Sequence, residues 1–269
     1  MFSFNFFYLR NLICHYFKAT RVDVLHSPFV FDLWKSCIRN QKITDSLLAI
    51  EKLRNELKTS FDLVHLTDLG ASNEVNKQKA MSVSEVAKRH AKQKPLAQII
   101  YRIIKHNNFS KGIELGTSLG LTTAYIATAL KEGKTDSHFE SIEGSEEVFK
   151  LAEKNMKTLE LQNQVTLNLG NFDNVLSEII KRFDTIDFAF IDGNHTYEAT
   201  LNYFTQLLPK THNETVLIFD DIYWSKGMAE AWNEIKQNEK VTVTIDLFFI
   251  GLVYFRKEQN KQHFRLRVF

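Results

Sequence analysis

From residue 95 onward, helical periods of apolar residues alternate with short apolar runs that are typical of buried strands. The pattern predicts helices over 95–106, 120–131, 145–159, 173–182, 197–208 and 226–237, with strands over 111–115, 138–142, 164–169, 185–191 and 214–220. Strands that alternate with helices of this size indicate βαβ units and a parallel sheet. The final segment, VTVTIDLFFIGLVYFRKE, predicts two strands without a helix between them, forming an antiparallel hairpin that turns near Ile250-Gly251. Five parallel units closed by a hairpin differ from the dinucleotide-binding fold, whose sixth strand follows another helix.

The first 94 residues predict helices joined by polar connections. Ser27-Pro28 indicates an N-cap followed by proline at the first helical position, and 43–57 has a helical apolar period. Asp68-Leu69-Gly70-Ala71 imitates an acid-glycine motif, but a polar stretch follows it, which favours a polar loop or lid. We therefore expect an N-terminal helical extension with a lid over 1–94, and a ligand-binding domain over 95–269.

Composition says more about the cellular compartment of the protein than about its function. The chain has 269 residues, a net charge of +2 and two cysteines, values that suit a cytoplasmic protein without a disulfide framework. A lysine-rich stretch at 77–94 is interpreted as a solvated helix face in preference to an anion-binding patch. The aromatic N-terminus is too interrupted to span a bilayer; packing on its own protein is favoured over a membrane surface or a partner.

The glycine-containing segment KGIELGTSLGLTTAYIA carries the strongest chemical signal. Glu114 ends an apolar run, Gly116 and Gly120 follow, and a helix starts after them. A strand, a glycine turn and a helix start together present backbone N–H groups to a ligand. The spacing matches neither the dinucleotide nor the P-loop motif. An acid before the glycines suits a ligand with an amino group beside a carboxylate, such as S-adenosylmethionine.

Polar residues also follow the next two strands, where ligands of open α/β sheets bind. Glu143 could accept hydrogen bonds from both hydroxyls of a ribose, or be a surface acid. Asn171 and Phe172 could meet an adenine, the amide at its edge and the ring on its face. A plain turn with a buried Phe172 explains the same residues equally well.

Three acids follow the fourth and fifth strands. If these strands are neighbours, Asp192, Asp220 and Asp221 lie close together, and a divalent cation such as Mg²⁺ would balance their charge. Alternatively, Asp221 orders a turn while Asp192 faces a cofactor without metal. His195, on the Asp192 loop, could act as a general base or be structural.

Together these motifs resemble the class I S-adenosylmethionine-dependent methyltransferases, and most closely the small-molecule O-methyltransferases of the catechol and macrolide-sugar type. The matching segments are IELGTSLGLTTAYIA, SIEG, FAFIDGNHTYEATLNYF and VLIFDDIYWS. The resemblance implies a Rossmann-like α/β fold over about 95–257, with S-adenosylmethionine and a divalent cation as cofactors. It implies that the methionine end of the cofactor is held by Glu114, Gly116, Ser118, Gly120 and Thr122.

By the same resemblance, Glu143 binds the ribose, and Asp192, Asp220 and Asp221 hold the cation. His195 stands where catechol-type enzymes have a lysine base, and Asp221 replaces their asparagine. The implied reaction is methyl transfer to a hydroxyl of a small molecule, with no nucleic acid as partner. Two alternatives stay open: a cofactor-binding module without chemistry, and a protein or nucleic-acid methyltransferase.

Overall fold

The computed structural model describes residues 6–21, 25–40, 42, 44–67, 78–133 and 136–268. Its α-helices are α1 (Phe6–Lys18), α2 (Pro28–Leu33), α3 (Asp45–Leu57), α4 (Val83–Arg89), α5 (Lys94–His106), α6 (Leu121–Lys131), α7 (Glu146–Thr158), α8 (Phe172–Ile180), α9 (Tyr197–Leu207) and α10 (Lys226–Gln237). Its strands are β1 (Leu63–Thr67), β2 (Gln78–Ser82), β3 (Lys111–Leu115), β4 (His138–Glu143), β5 (Thr166–Leu169), β6 (Ile186–Ile191), β7 (Thr211–Asp220), β8 (Val243–Asp246), β9 (Ile250–Tyr254) and β10 (Gln262–Arg265). The alternation predicted from residue 95 to β7 is confirmed, with element ends shifted by three residues at most.

The main sheet has eight strands in the order β10-β8-β9-β7-β6-β3-β4-β5, and it is mostly parallel. Strand β9 is antiparallel to both β7 and β8, as the terminal hairpin predicts. Strand β10, which is parallel to β8, has no counterpart in the prediction. The predicted Rossmann-like fold class is confirmed by this topology.

The position of the hairpin turn was predicted wrongly. Gly251 lies inside β9, paired with Phe219, and the chain turns earlier, where Phe248 has a φ of 70°. A Cβ atom on Gly251 would lie 2.7 Å from the ring of Trp232 on α10. The glycine therefore allows helix α10 to pack on the sheet, and its presence in the sequence does not mark the turn.

The predicted all-helical character of the first 94 residues is corrected by the antiparallel pair of β1 and β2. The Ser27 cap is confirmed, because the Val30 N–H donates to Ser27 Oγ at 3.4 Å. Helix α2 continues into a π-helical turn at Trp34–Ile38. Neither the Asp68–Ala71 motif nor Lys77 falls within the described residues.

Contact density divides the chain into a central unit, 35–183, and a terminal unit, 1–34 with 184–269. The predicted domain boundary at residue 94 is not tested by this division and stays a prediction. Within the terminal unit, the chain after α1 contacts strand β10. For example, the Thr20 N–H donates to the carbonyl of Arg265 at 2.7 Å. In the central unit, α6 is buried from Leu121 to Leu130, so it forms much of the core.

Among the described helices, none combines the length and apolar character needed to cross a bilayer.

Candidate functional site

The turn between β3 and α6 in the central unit has a left-handed backbone at three positions. The φ angles of Gly116, Ser118 and Gly120 are 101°, 49° and 76°. A Cβ atom on Gly120 would also lie 3.0 Å from Met156 Cε, on α7. Both the backbone conformation and the close approach of α7 therefore favour glycine at this turn.

Glu114 lies beneath this turn and is fully buried. One of its oxygens, Oε2, accepts hydrogen bonds of 2.6 Å from the hydroxyls of Thr123 and Ser141. The hydroxyls of Ser141 and Thr117 are 2.6 Å apart. The carboxylate thus ties the end of β3 to the first turn of α6 and to β4, and it orders the glycine turn from the protein side.

Glu143 connects the two turns that follow β3 and β4. Its Oε2 accepts the Ser118 N–H at 2.7 Å, and its Oε1 accepts the Ser145 N–H at 2.8 Å. Burial raises the pKa of the carboxyl group, and the backbone hydrogen bonds oppose that rise. Each carboxylate oxygen has two lone pairs, so Glu143 retains the capacity to accept hydrogen bonds from a ligand.

The β1–β2 hairpin passes beside the Glu143 turn. Ser145 Oγ donates to the carbonyl of His65 at 3.0 Å and accepts the Thr67 N–H at 3.4 Å. The His65 N–H donates to Glu147 Oε2 at 2.7 Å. Strand β1 therefore lies against the start of α7, and its contact with Ser145 is two residues from Glu143.

The turn after β5 carries Asn171 and Phe172. The Asn171 side chain caps α8, since its Oδ1 accepts the Asp173 N–H at 2.9 Å. Phe172 begins α8 and is partly exposed, in contrast to the buried ring of the plain-turn alternative. The Gly170 N–H donates to the carbonyl of Glu143 at 2.9 Å, which joins this turn to the preceding one.

In the terminal unit, the ends of β6 and β7 bring two acids and a histidine together. Asp192, His195 and Asp220 each offer a ligand atom, and these atoms all lie within 4.8 Å of one another. His195 Nε2 is 3.6 Å from Asp192 Oδ1. Asp220 is buried, whereas Asp192 and His195 are partly exposed. Such a mixed oxygen and nitrogen set could bind a divalent cation.

The backbone around this acid-histidine group is held in place by local contacts. Thr196 caps α9 by accepting the Ala199 N–H at 3.3 Å. Asp221 is outside the group that could hold a metal among the described residues; it has a φ of 50°, and its N–H donates to the carbonyl of Phe249 at 2.8 Å. Its backbone therefore shapes the loop after β7.

Comparisons with known proteins support this reading of the fold. A family model described as "Methyltransferase domain" matches residues 113–222. The chain contains a methyltransferase domain. This confirms the family predicted from the glycine turn and the strand-end acids. A search of curated proteins gives no match.

Solved structures with this methyltransferase fold include three that cover most of the chain. An O-methyltransferase from Bacillus cereus, in complex with SAH, has a TM-score of 0.57 and 15% identity, covering 87% of this chain and 100% of its own. TomG from Streptomyces achromogenes, an O-methyltransferase of tomaymycin synthesis in complex with SAM, has a TM-score of 0.56 and 15% identity, covering 80% and 91%. SAH-bound PaMTH1 from Podospora anserina has a TM-score of 0.61 and 10% identity, covering 87% and 97%. At these identities the likeness establishes the fold alone.

Within the central unit, hydrogen bonds join the turn that follows β4 to the turns that follow β3 and β5. Within the terminal unit, Asp192, His195 and Asp220 lie together. Thr122, which is predicted to hold the methionine end of the cofactor, is buried in the first turn of α6. Sequence reasoning missed the residues that support the domain's turns: Thr123 and Ser141, which hold Glu114, and the β1 residues beside Glu143. Hydroxyls one turn into a helix and in a neighbouring strand carry no distinctive signal until the fold brings them together.

Proposed function

We propose that this protein is an S-adenosylmethionine-dependent methyltransferase that methylates a hydroxyl group of a small molecule. The observation that carries the proposal is the convergence of Asp192, His195 and Asp220 in a chain that also has a methyltransferase domain. A module that only binds a cofactor has no need of such a group. The convergence therefore supports an enzyme over the binding module.

The turns of the central unit fit S-adenosylmethionine. The left-handed turn from Gly116 to Gly120 exposes backbone to a ligand, and Glu143 can accept hydrogen bonds from ribose hydroxyls. The partly exposed ring of Phe172 can pack on an adenine. Glu114 acts by fixing the turn, since both bonds to its Oε2 come from protein hydroxyls.

When bound, the cofactor supplies a methyl group on a positively charged sulfur. Transfer of this methyl group from the sulfur to the acceptor oxygen would release the hydroxyl proton, which a base of the protein would take. In the proposal His195 accepts that proton at a ring nitrogen, because histidine is the side chain that most often serves as a general base.

Asp192 and Asp220 would hold a divalent cation. Asp221, the third ligand predicted from the sequence, lies outside their group. A bound cation would lower the pKa of a coordinated hydroxyl. Oxygen ligands favour Mg²⁺, Ca²⁺ or Mn²⁺. Since His195 lies within the same group, it could also be a ligand, and the experiment below separates the two roles.

The test compares Asp220→Asn and His195→Ala with Asp187→Asn as a matched control. Asp187 lies at the opposite end of β6, with its Oδ1 3.0 Å from His212 Nε2. Binding of Mg²⁺ and of cofactor is measured by calorimetric titration. Methyl transfer is measured as formation of the demethylated cofactor when the enzyme is given each of a panel of hydroxylated metabolites as the acceptor.

We expect Asp220→Asn to weaken Mg²⁺ binding and methyl transfer while cofactor affinity is kept. His195→Ala should keep both ligands and slow transfer by about 10²–10⁴-fold, the usual contribution of a positioned base. If His195→Ala abolishes Mg²⁺ binding, the histidine is a ligand and the base assignment is wrong. If the folded wild type binds no cation, the metal assignment is wrong, and if it binds no cofactor, the function is wrong.

A further inference from the structure

We propose that the outward face of helix α1 is a docking surface for an anionic lipid bilayer. Phe6, Arg10, Ile13 and Phe17 are spaced by four, three and four residues, which places them on one side of the helix. Phe6 is 74% exposed, Ile13 50% and Phe17 77%. A helix of a soluble protein ordinarily turns its apolar side inward, and α1 has large apolar side chains facing outward.

The opposite side of α1 is fixed by contacts within the terminal unit. His15 is buried, with its Nε2 3.1 Å from Asp246 Oδ1. The rings of Tyr8 and His15 meet Phe248 edge-to-face, at centroid distances of 5.1 Å and 5.5 Å. Because a buried histidine and carboxylate set the rotation of the helix, the apolar stripe cannot turn inward without breaking that pair.

Basic residues accompany the stripe along the chain. The first acidic residue of the chain is Asp23, whereas basic residues come before it at Arg10, Lys18 and Arg21, all of them exposed. Arg267 adds a further charge, since its guanidinium lies 3.7 Å from the ring centroid of Tyr16.

An anionic bilayer matches this combination better than an apolar protein groove does. Helices that lie in the membrane interface pair an apolar aromatic side with lysine and arginine, and the apolar side enters the boundary between headgroups and acyl chains. A helix of 13 residues is about 20 Å long, so it could lie along the surface, held by several side chains at once. Anionic headgroups would neutralise the exposed charges of Arg10 and Lys18.

The probe is a set of vesicles, one of phosphatidylcholine alone and one of phosphatidylcholine mixed with phosphatidylglycerol. Sedimentation of the full-length protein with each is compared for three variants. The triple variant Phe6→Ser, Ile13→Ser, Phe17→Ser removes the apolar stripe, and the double variant Arg10→Gln, Lys18→Gln removes two charges. The control, Leu48→Ser, removes an apolar side chain on α3 that is 55% exposed. Circular dichroism checks that each variant is folded.

We expect the wild type and Leu48→Ser to bind the anionic vesicles more tightly than the neutral ones. The affinity of the double variant for anionic vesicles should fall about fivefold for each charge removed, and that of the triple variant should fall at least about tenfold. Equal binding to both vesicle types, or none by the wild type, would overturn the proposal. It would also be overturned if sedimentation equilibrium shows a dimer that the triple variant dissociates, because the stripe would then contact a second copy of the chain.

Discussion

The carboxylate of Asp246 is predicted to be among the largest single contributors to the stability of the terminal unit. It is 5% exposed and accepts four hydrogen bonds or ion pairs from separate parts of that unit. The partners are Tyr223 Oη at 2.5 Å, Phe248 N at 2.9 Å, His15 Nε2 at 3.1 Å and Arg265 Nε at 3.2 Å. Burial opposes the charge, yet the hydrogen bonds from His15 and Tyr223 hold the pKa of Asp246 below its usual value.

The perturbation is Asp246→Asn, which keeps the shape of the side chain and removes its charge. Removing one partner of a buried ion pair costs about 3–5 kcal/mol, because the other charges are left uncompensated. The isosteric amide retains some hydrogen bonds, so we expect the lower limit, about 3 kcal/mol. In a chain of this size that loss corresponds to a fall in Tm of roughly 6–12 °C.

The assay is urea unfolding followed by circular dichroism at several pH values. A carboxyl group whose pKa is lowered by folding stabilises the protein above its unfolded pKa, near 3.8, and loses that stabilisation as pH falls through the folded value. The difference between wild type and Asp246→Asn should therefore be constant near neutral pH and shrink below about pH 4.

Glu178→Gln is the control for this measurement. Glu178 is exposed and pairs with Lys181, so its loss should change the free energy of unfolding by less than about 0.5 kcal/mol. If Asp246→Asn is as mild as this control, or if its effect does not depend on acid pH, the reasoning about the buried carboxylate is wrong.

Three further predictions concern the central unit. Glu143→Gln should weaken cofactor binding. Because burial raises the pKa of Glu143, the cofactor affinity of the wild type should fall as pH drops toward that pKa. Calorimetric titration of the variant with cofactor should show no such fall. Gly120→Ala should lower the free energy of unfolding by about 1–2 kcal/mol in urea, because φ is 76° and Met156 must move; a neutral effect would contradict the strain. Amides of β1 (Leu63–Thr67) and β2 (Gln78–Ser82) should gain protection from hydrogen exchange when cofactor is added, if the hairpin beside the Glu143 turn covers the proposed cofactor site; unchanged exchange would mean that the hairpin is only a spacer.

The alternation of elements after residue 95 could be predicted because each element carries its own signal. Strand β6, IDFAFI, is apolar except for Asp187, and Ser27-Pro28 predicts a helix start from local chemistry alone. The hairpin of β1 and β2 could not be predicted in this way, because LVHLT and QKAMS are short and alternate only weakly between apolar and polar residues. Strand β10 is similarly short, and its pairing with β8 is decided by tertiary contacts.

The candidate site could also be predicted only in part from the sequence. Asp192 and Asp220 could be placed near each other because parallel strands end at one edge of a sheet. Outside the site, the contact of His15 with Asp246 could not be predicted, since 231 residues separate them. The inward orientation of Glu114 likewise depends on Ser141, whose hydroxyl is positioned by the register of β3 and β4.

Binding of S-adenosylmethionine to the wild type and to Gly116→Val, measured by calorimetric titration, tests the central claim most directly. The φ of Gly116 is 101°, a conformation that a β-branched side chain does not adopt without strain, and the turn it forms is the proposed cofactor site. We expect saturable binding by the wild type and none by the variant, with both proteins folded by circular dichroism. Absence of binding by the folded wild type, or equal affinity in the variant, would contradict it.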